Sequence, residues 1–206
     1  MKNSLFVCMM FCAGCMLGVM WKPDIDFHPL SMCVLYALML QVGVSIGSHK
    51  DLKQLFAGLR PKMLFIPLAT VVGTLAFSAC ASLLLRDWNA FDCMAVGSGF
   101  AYYSLSSVLI TQFKTASLGL QLATELGTIA LLTNVMREMI ALLGSPLLLK
   151  YFGRLAPISA AGVNSMDVVL PVITRCAGKD IIPAAILHGI LIDLSVPFFV
   201  SLFCSL

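Results

Sequence analysis

The stretch LATELGTIALLTNVMREMIALLGSPLLL, residues 122–149, decides the fold. It exceeds the roughly 20 apolar residues that a helix needs to cross the hydrocarbon core of a bilayer, yet Asn134, Arg137 and Glu138 stand near its middle. An ionised side chain at that depth costs about 2.5–3.5 kcal/mol even on the mildest scale, so such residues usually face a polar cavity and serve transport or catalysis. Asn134 and Glu138 are four residues apart and share a helix face, with Arg137 on its flank, so the three line one wall. Arg137 has three partners open to it: Glu138 beside it, Asp167 from across the bundle, or the carboxylate of a bound substrate. A purely structural ion pair is the plain alternative, though a desolvated pair is poor stabilisation by itself.

The rest of the chain has the same character. Hydrophobic residues make up 60% of the 206 and charged residues only 11%, with a mean hydropathy of +0.98, whereas soluble domains carry roughly 25% charge. Apolar runs cover approximately Leu5–Trp21, Leu30–Gly47, Met63–Leu85, Phe91–Phe113, Leu122–Leu149, Ile158–Ile173 and Ile181–Phe203. They are continuous rather than alternating, which argues against a membrane β-barrel and predicts an all-α, polytopic membrane helix bundle of about seven hydrophobic segments. Residues 1–206 read as a single transmembrane domain, because no polar or Pro/Gly/Ser-rich linker interrupts them. Within it, residues 1–90 supply scaffold-like spans and 91–206 the substrate-site spans, since every plausible intramembrane charge falls in the later part. The net charge of +3 forms no basic stripe, which sets nucleic acid aside. Eight cysteines without metal or disulfide spacing read as small apolar filler. The first apolar run continues through Met20 without a polar mature start, as a retained anchor does and a cleaved signal does not.

Short cytoplasmic loops are enriched in Lys and Arg. Residues 49–62 contain Lys50, Lys53, Arg60 and Lys62, and placing them inside puts the N-terminus in the cytoplasm and, with seven crossings, the C-terminus outside. Lys2, Lys114, Arg175 and Lys179 then also fall inside, against Lys22, Arg86, Lys150 and Arg154 outside. Lys150 and Arg154 are the weak point, because a re-entrant sixth segment would flip everything beyond it.

Glu125, Glu138, Asp167 and Asp193 outnumber the one intramembrane base, Arg137. That surplus favours a cationic ligand, a proton or a metal ion over an anion. Asp167-Val-Val-Leu-Pro171 is echoed by Asp193-Leu-Ser-Val-Pro197, and inside a helix each proline would leave the carbonyl four residues earlier without its donor. Broken helices at mid-membrane are how many secondary transporters build their sites; an ordinary kink is the alternative. Gly97-Ser-Gly-Phe-Ala-Tyr-Tyr-Ser104 opens the fourth segment. Its small residues suit close helix packing, while Tyr102, Tyr103 and Ser104 offer hydroxyls and aromatic faces to an ammonium group. His188 is either a proton carrier or a helix-contact residue. No zinc-protease pair, nucleophile elbow or cofactor motif occurs, and a serine protease using Ser104 and His188 has nothing linking the two. A transporter, not an enzyme, is expected, with no cofactor and no metal.

In order along the chain, Gly97–Ser106, Asn134-Val-Met-Arg137-Glu138, Gly162-Val-Asn164-Ser165-Met-Asp167 with Leu170-Pro171, and Pro183–Gly189 resemble the lysine exporter family of bacterial inner membranes. The resemblance covers most of residues 95–206, and the first 90 residues match mainly in hydrophobic pattern. It implies a multi-pass inner-membrane secondary transporter that exports L-lysine and its toxic analogue. The family's intramembrane acids map onto Glu138 and Asp167, with Arg137, Asn134, Asn164 and Ser165 orienting substrate or acids. Exchange for a proton or sodium ion is the mechanism expected. Familiar members are about half as long again, so a small separate membrane subunit or a homo-oligomer is expected to complete the bundle. The competing class is a non-transporting membrane scaffold subunit of a larger complex.

Overall fold

A computed structural model describes residues 61–206 except Arg86, together with isolated helical positions between residues 9 and 44. The first two expected spans, Leu5–Trp21 and Leu30–Gly47, lie outside the described residues apart from those positions. The chain divides into two compact units, Met1–Val34 and Leu35–Leu206, and the helices named below belong to the second. They are α1 (Pro61–Ala81), α2 (Ala90–Gly97), α3 (Tyr103–Phe152), α4 (Ala156–Ala161), α5 (Leu170–Ala177) and α6 (Ile182–Ser205), with 3-10 turns at Gly162–Met166 and Lys179–Ile181. No strand occurs among the described residues, and three helical stretches, Met63–Ala81, Tyr103–Phe152 and Lys179–Ser205, are long and apolar enough to cross a membrane. The all-α membrane bundle expected from the sequence is thus the fold observed.

Helix α3 is two helices. Gly119 sits at φ 80° and ψ 162°, a backbone conformation open to glycine and strained for other residues, and the chain reverses there. The second limb returns along the first, so that a Cβ on Gly127 would press on Thr111 and come within 2.9 Å of the Ser107 carbonyl.

Two of the expected spans fold back on themselves. The ends of the segment beginning with α2 are pinned together by the Lys114–Asp92 ion pair, 2.8 Å long and buried on both sides. Asp92 also closes a capping box with Asn89, whose side chain accepts from the Asp92 N–H at 2.8 Å. Arg154, just ahead of α4, donates to the carbonyl of Ala177 at the end of α5 (2.5 Å) and to both carboxylate oxygens of Asp180 (2.7 and 2.8 Å). Each segment therefore enters and leaves at one end of the bundle as a re-entrant hairpin: hairpin 1 from α2 to the first limb of α3, and hairpin 2 from α4 to α5. Their opening helices have 8 and 6 residues, about 12 and 9 Å at 1.5 Å per residue, against a hydrocarbon thickness of about 30 Å. Hydropathy reads them as crossings because both arms are apolar and the tip adds no charged loop.

The hairpins enter from opposite ends. Ile66 of early α1 and Ala141 of late α3 cluster with Ile158, Ile173, Ala177 and Ala185 of hairpin 2 and early α6. At the other end Ser78, Ala81 and Leu85 meet Cys93, Leu126 and Ile129 around a cavity of about 200 Å³. Lys150, Arg154, Arg175 and Lys179 consequently gather at the hairpin 2 end. This differs from the loop count, which put Lys150 and Arg154 opposite the other two and put Lys114 with them. Cys33, Cys80, Cys93, Cys176 and Cys204 are all free thiols, as filler residues would be.

Single cysteines introduced as Arg154→Cys and Asp180→Cys, in a background without the native cysteines, are expected to react with an impermeant maleimide from the same face of sealed vesicles, and Asp87→Cys from the opposite face. Opposite labelling of positions 154 and 180 would restore a full sixth crossing.

Candidate functional site

The two tips meet inside the protein. The Val163 N–H donates to the Phe100 carbonyl at 3.0 Å, and Gly162, at φ 59°, lies so close beneath that carbonyl that any Cβ would collide with it. Phe100 and Ala101 hold left-handed backbone at φ 44° and 73°. That conformation is uncommon for residues with a Cβ, and it persists where the surroundings over-determine it.

The second limb of α3 provides the surroundings. Asn134 is buried; its Oδ1 accepts from the Ala101 N–H at 2.7 Å, and its Nδ2 donates to the carbonyls of Ala130 (2.8 Å) and Val96 (3.2 Å). One amide thus satisfies both sides of the hairpin 1 tip. Arg137, less than one helical turn on, serves hairpin 2: Nε donates to the Ala160 carbonyl and Nη2 to the Ser159 carbonyl, each at 3.0 Å, while Nη1 reaches Thr74 Oγ1 at 3.3 Å. Its guanidinium lies 5.6 Å from the centre of the Phe100 ring. Arg137 thus directs donors to two backbone carbonyls and one hydroxyl. Glu138 is buried, at 4% exposure, beside it.

Hairpin 2 is also tied to its neighbours. Ser165 is fully buried and donates to the Ala185 carbonyl at 2.9 Å. His188 Nδ1 lies 3.1 Å from the same hydroxyl, and Nε2 lies 3.0 Å from Thr70, which donates to the Ile66 carbonyl at 2.9 Å. Both hydroxyls direct their protons to backbone carbonyls, so each offers the imidazole a lone pair, and the ring nitrogen that carries the proton donates to its hydroxyl. Both ring nitrogens are occupied, which leaves no dyad with Ser104. Asn164 Nδ2 reaches the Ala101 carbonyl at 3.5 Å, a second bridge between tips.

Asp167 ends the 3-10 turn, exposed, with Oδ1 accepting from the Val168 N–H at 2.5 Å. Pro171 does not break a helix after it. It begins α5, where a missing N–H costs nothing, and the break lies earlier, at residues 162–169. The two halves of the Asp-x-x-x-Pro echo therefore differ, since Pro197 does lie inside α6. Asp193 is buried at mid-helix, and its Oδ1 has no hydrogen-bond partner among the described residues. It lies within electrostatic reach of Asp167, and Tyr102 within reach of both. Tyr103 and Ser104, half-buried, follow Tyr102 at the start of α3. Glu125 is exposed near the Gly119 reversal, away from the tips.

Clefts of about 540 and 550 Å³ flank hairpin 2, one lined by Thr133, Met136, Arg137 and Ala160, the other by Thr70, Thr74, Ser78 and Ser159. Neither is lined by an acid. Among the described residues no three His, Cys, Asp or Glu side chains are grouped to hold a metal ion. Sequence reasoning missed Thr70, Thr74 and Phe100 as partners in this network. The close Gly97, Gly99 and Gly162 were its only sequence trace; a Cβ on Gly99 would strike the Asn134 amide.

The family model for the lysine exporter LysO matches residues 8–204. The Lysine exporter LysO of Escherichia coli (strain K12) is 31% identical over 172 residues, which cover 83% of this chain and 54% of that protein. A Haemophilus influenzae protein named "Putative lysine exporter" is 26% identical over 196 residues, 93% of each chain. The chain thus spans about half the length of the first relative and nearly all of the second. No solved structure matches it. Matched over nearly its whole length and built from apolar helices, this bacterial inner-membrane protein belongs to the lysine exporter family.

Proposed function

We propose that the chain exports L-lysine and close analogues from the cytoplasm by exchange for a proton or a sodium ion, through an acidic site at the tips of the two hairpins. The observation that carries the reading is the meeting of unwound backbone and carboxylates at mid-bundle. Asp167 ends one tip, Tyr102 and Tyr103 end the other, and Glu138 and Asp193 are buried on the two long helices beside them. Lysine is a net cation, and Arg137 has its donors committed to Ser159, Ala160 and Thr74. The acids have the sign that an ammonium group needs. Glu138 and Asp167 engage the substrate or the coupling ion, while Asn134, Arg137, Asn164 and Ser165 hold the tips in the geometry that presents them.

Orientation follows from charge. Lys150, Arg154, Arg175 and Lys179 share one end, and the basic stretch 49–62 leads into the start of α1 at that same end. Basic ends stay cytoplasmic, so hairpin 2 opens from the cytoplasm, hairpin 1 from outside, and the C-terminus lies outside. Movement of either tip would open the acids to its own side, which is what alternating access requires.

The test is flux of labelled lysine from loaded proteoliposomes containing the purified chain alone. Glu138→Gln and Asp167→Asn are each expected to slow export by at least about tenfold, as the loss of one charge-assisted contact of about 1.5–3 kcal/mol would, with normal membrane insertion. Full export in both variants contradicts the site. No flux from the chain alone, restored by a small membrane partner, would favour a two-chain transporter, and silence under all conditions the scaffold reading.

Holding and binding separate by a second measurement. Asn134→Ala strands the buried Ala101 N–H at a cost of about 1–3 kcal/mol, so the melting temperature of the purified protein should fall, whereas Asp167→Asn, on an exposed carboxylate, should leave it unchanged. Equal melting of Asn134→Ala and the parent would remove Asn134 from the holding role.

A further inference from the structure

Asp193 is a carboxylate that the fold buries with one oxygen left unserved among the described residues. It lies on α6 one turn beyond Gly189, on the same face, and Gly189 is pressed against Met166 and the Val163 carbonyl of the hairpin 2 tip. That face is therefore turned to the tips. The side chain is 4% exposed, and its Oδ1 meets no donor among the described residues. An unpaired buried charge costs several kcal/mol unless a counter-charge reaches it. Pro197, four residues on, has no N–H to give the Asp193 carbonyl, so both the side chain and the backbone of this residue are short of donors.

Among the described residues the surrounding elements do not supply a fixed cation. Hairpin 2 brings Asp167, a second carboxylate within electrostatic reach, and hairpin 1 brings the Tyr102 hydroxyl. From α3 come Glu138, another acid, and Arg137, which is turned to the carbonyls of Ser159 and Ala160. His188, on α6 itself, is held between Ser165 and Thr70. The described part of α1 contributes the hydroxyls of Thr70 and Thr74. Two carboxylates interacting in a low-dielectric site cannot both stay ionised without a positive charge between them. A sodium ion would need several oxygen ligands, and at Oδ1 none of the described groups stands ready.

We propose that Asp193 and Asp167 share a single positive charge, a proton in one half of the cycle and the substrate ammonium in the other, so that one lysine cation leaves for each proton that enters. The substrate in this statement rests on the lysine-export reading. Exposed Asp167 meets the arriving ammonium, and buried Asp193 holds the proton that replaces it. With the pair opened to the outside, lysine leaves and one carboxylate takes a proton from that water. With the pair opened to the cytoplasm, the proton returns to water as the next ammonium binds. One positive charge crosses in each direction, so the exchange is electroneutral.

The experiment uses the full chain in proteoliposomes loaded with labelled lysine and a pH dye, with the membrane potential clamped. An inward proton gradient should drive export with one proton entering per lysine lost, at a rate that the clamped potential does not change. Asp193→Asn should lose proton-driven export by more than about tenfold while keeping lysine-for-lysine exchange, and Asp193→Glu should regain the driven flux. Driven export at the parental rate in Asp193→Asn, loss of exchange together with driven flux, a rate that follows the potential, or a sodium gradient replacing the proton gradient would each overturn the proposal. Infrared pH-difference spectra of the purified protein separate this from the substrate reading. A titrating carboxylic-acid band should be present in the parent and absent from Asp193→Asn. That band in a parent protein that moves no lysine would leave the proton site standing and remove lysine as its substrate; the same band in Asp193→Asn would overturn the site itself.

Discussion

Backbone that leaves a helix at membrane depth finds no water to bond with, so its N–H and C=O groups must be satisfied by the protein. Both hairpin tips meet that demand on one short piece of α3. Asn134 bonds Ala101 and Val96 in one tip, and Arg137 bonds Ser159 and Ala160 in the other. The tips then bond each other through Val163 and Phe100. Without those side chains the unwound segments would carry several orphaned polar groups, and regular helix would be the cheaper structure. The cost of placing a guanidinium in an apolar run is thereby offset: it donates to two carbonyls and a hydroxyl and lies over an aromatic ring.

Much of this was legible in the residues. The apolar runs identified α1, the second limb of α3 and α6 with close boundaries, and the clustered Asn134, Arg137 and Glu138 marked the wall on which the site is built. The reversals were not legible. A re-entrant arm and a crossing helix have the same hydropathy, and the features that distinguish them here are pairings between distant residues, Asp92 with Lys114 and Arg154 with Asp180. Neither pair is local, so no periodicity reports it. The loop charges held a clue, because Lys150 and Arg154 fitted badly with a sixth crossing and fit well once that segment turns back.

Proline was misread for a related reason. Pro171 looked like a helix breaker because the run around it is apolar on both sides, but a proline is equally suited to the first turn of a helix, and only the tertiary position of the tip selects between the two. Of the four acids read as intramembrane, Glu138 and Asp193 are buried, whereas Glu125 and Asp167 are exposed. Asp193 in particular was suggested only by its spacing to Pro197, and its burial with an unserved oxygen is the observation on which the proposed proton site rests. Two hairpins entering from opposite ends, with carboxylates where they meet, are the arrangement on which the proposed export rests. The left-handed backbone at Phe100 and Ala101 lies at one of those tips, held there by Asn134.

The most direct measurement is a disulfide between the tips. With the native cysteines replaced, Ala101→Cys combined with Asn164→Cys should crosslink on mild oxidation, because Asn164 already reaches the Ala101 carbonyl. Lysine flux should stop when the bond forms and return when it is reduced. Failure of the pair to crosslink, or undiminished flux through the crosslinked protein, would contradict the account of two opposed tips that part to pass the substrate.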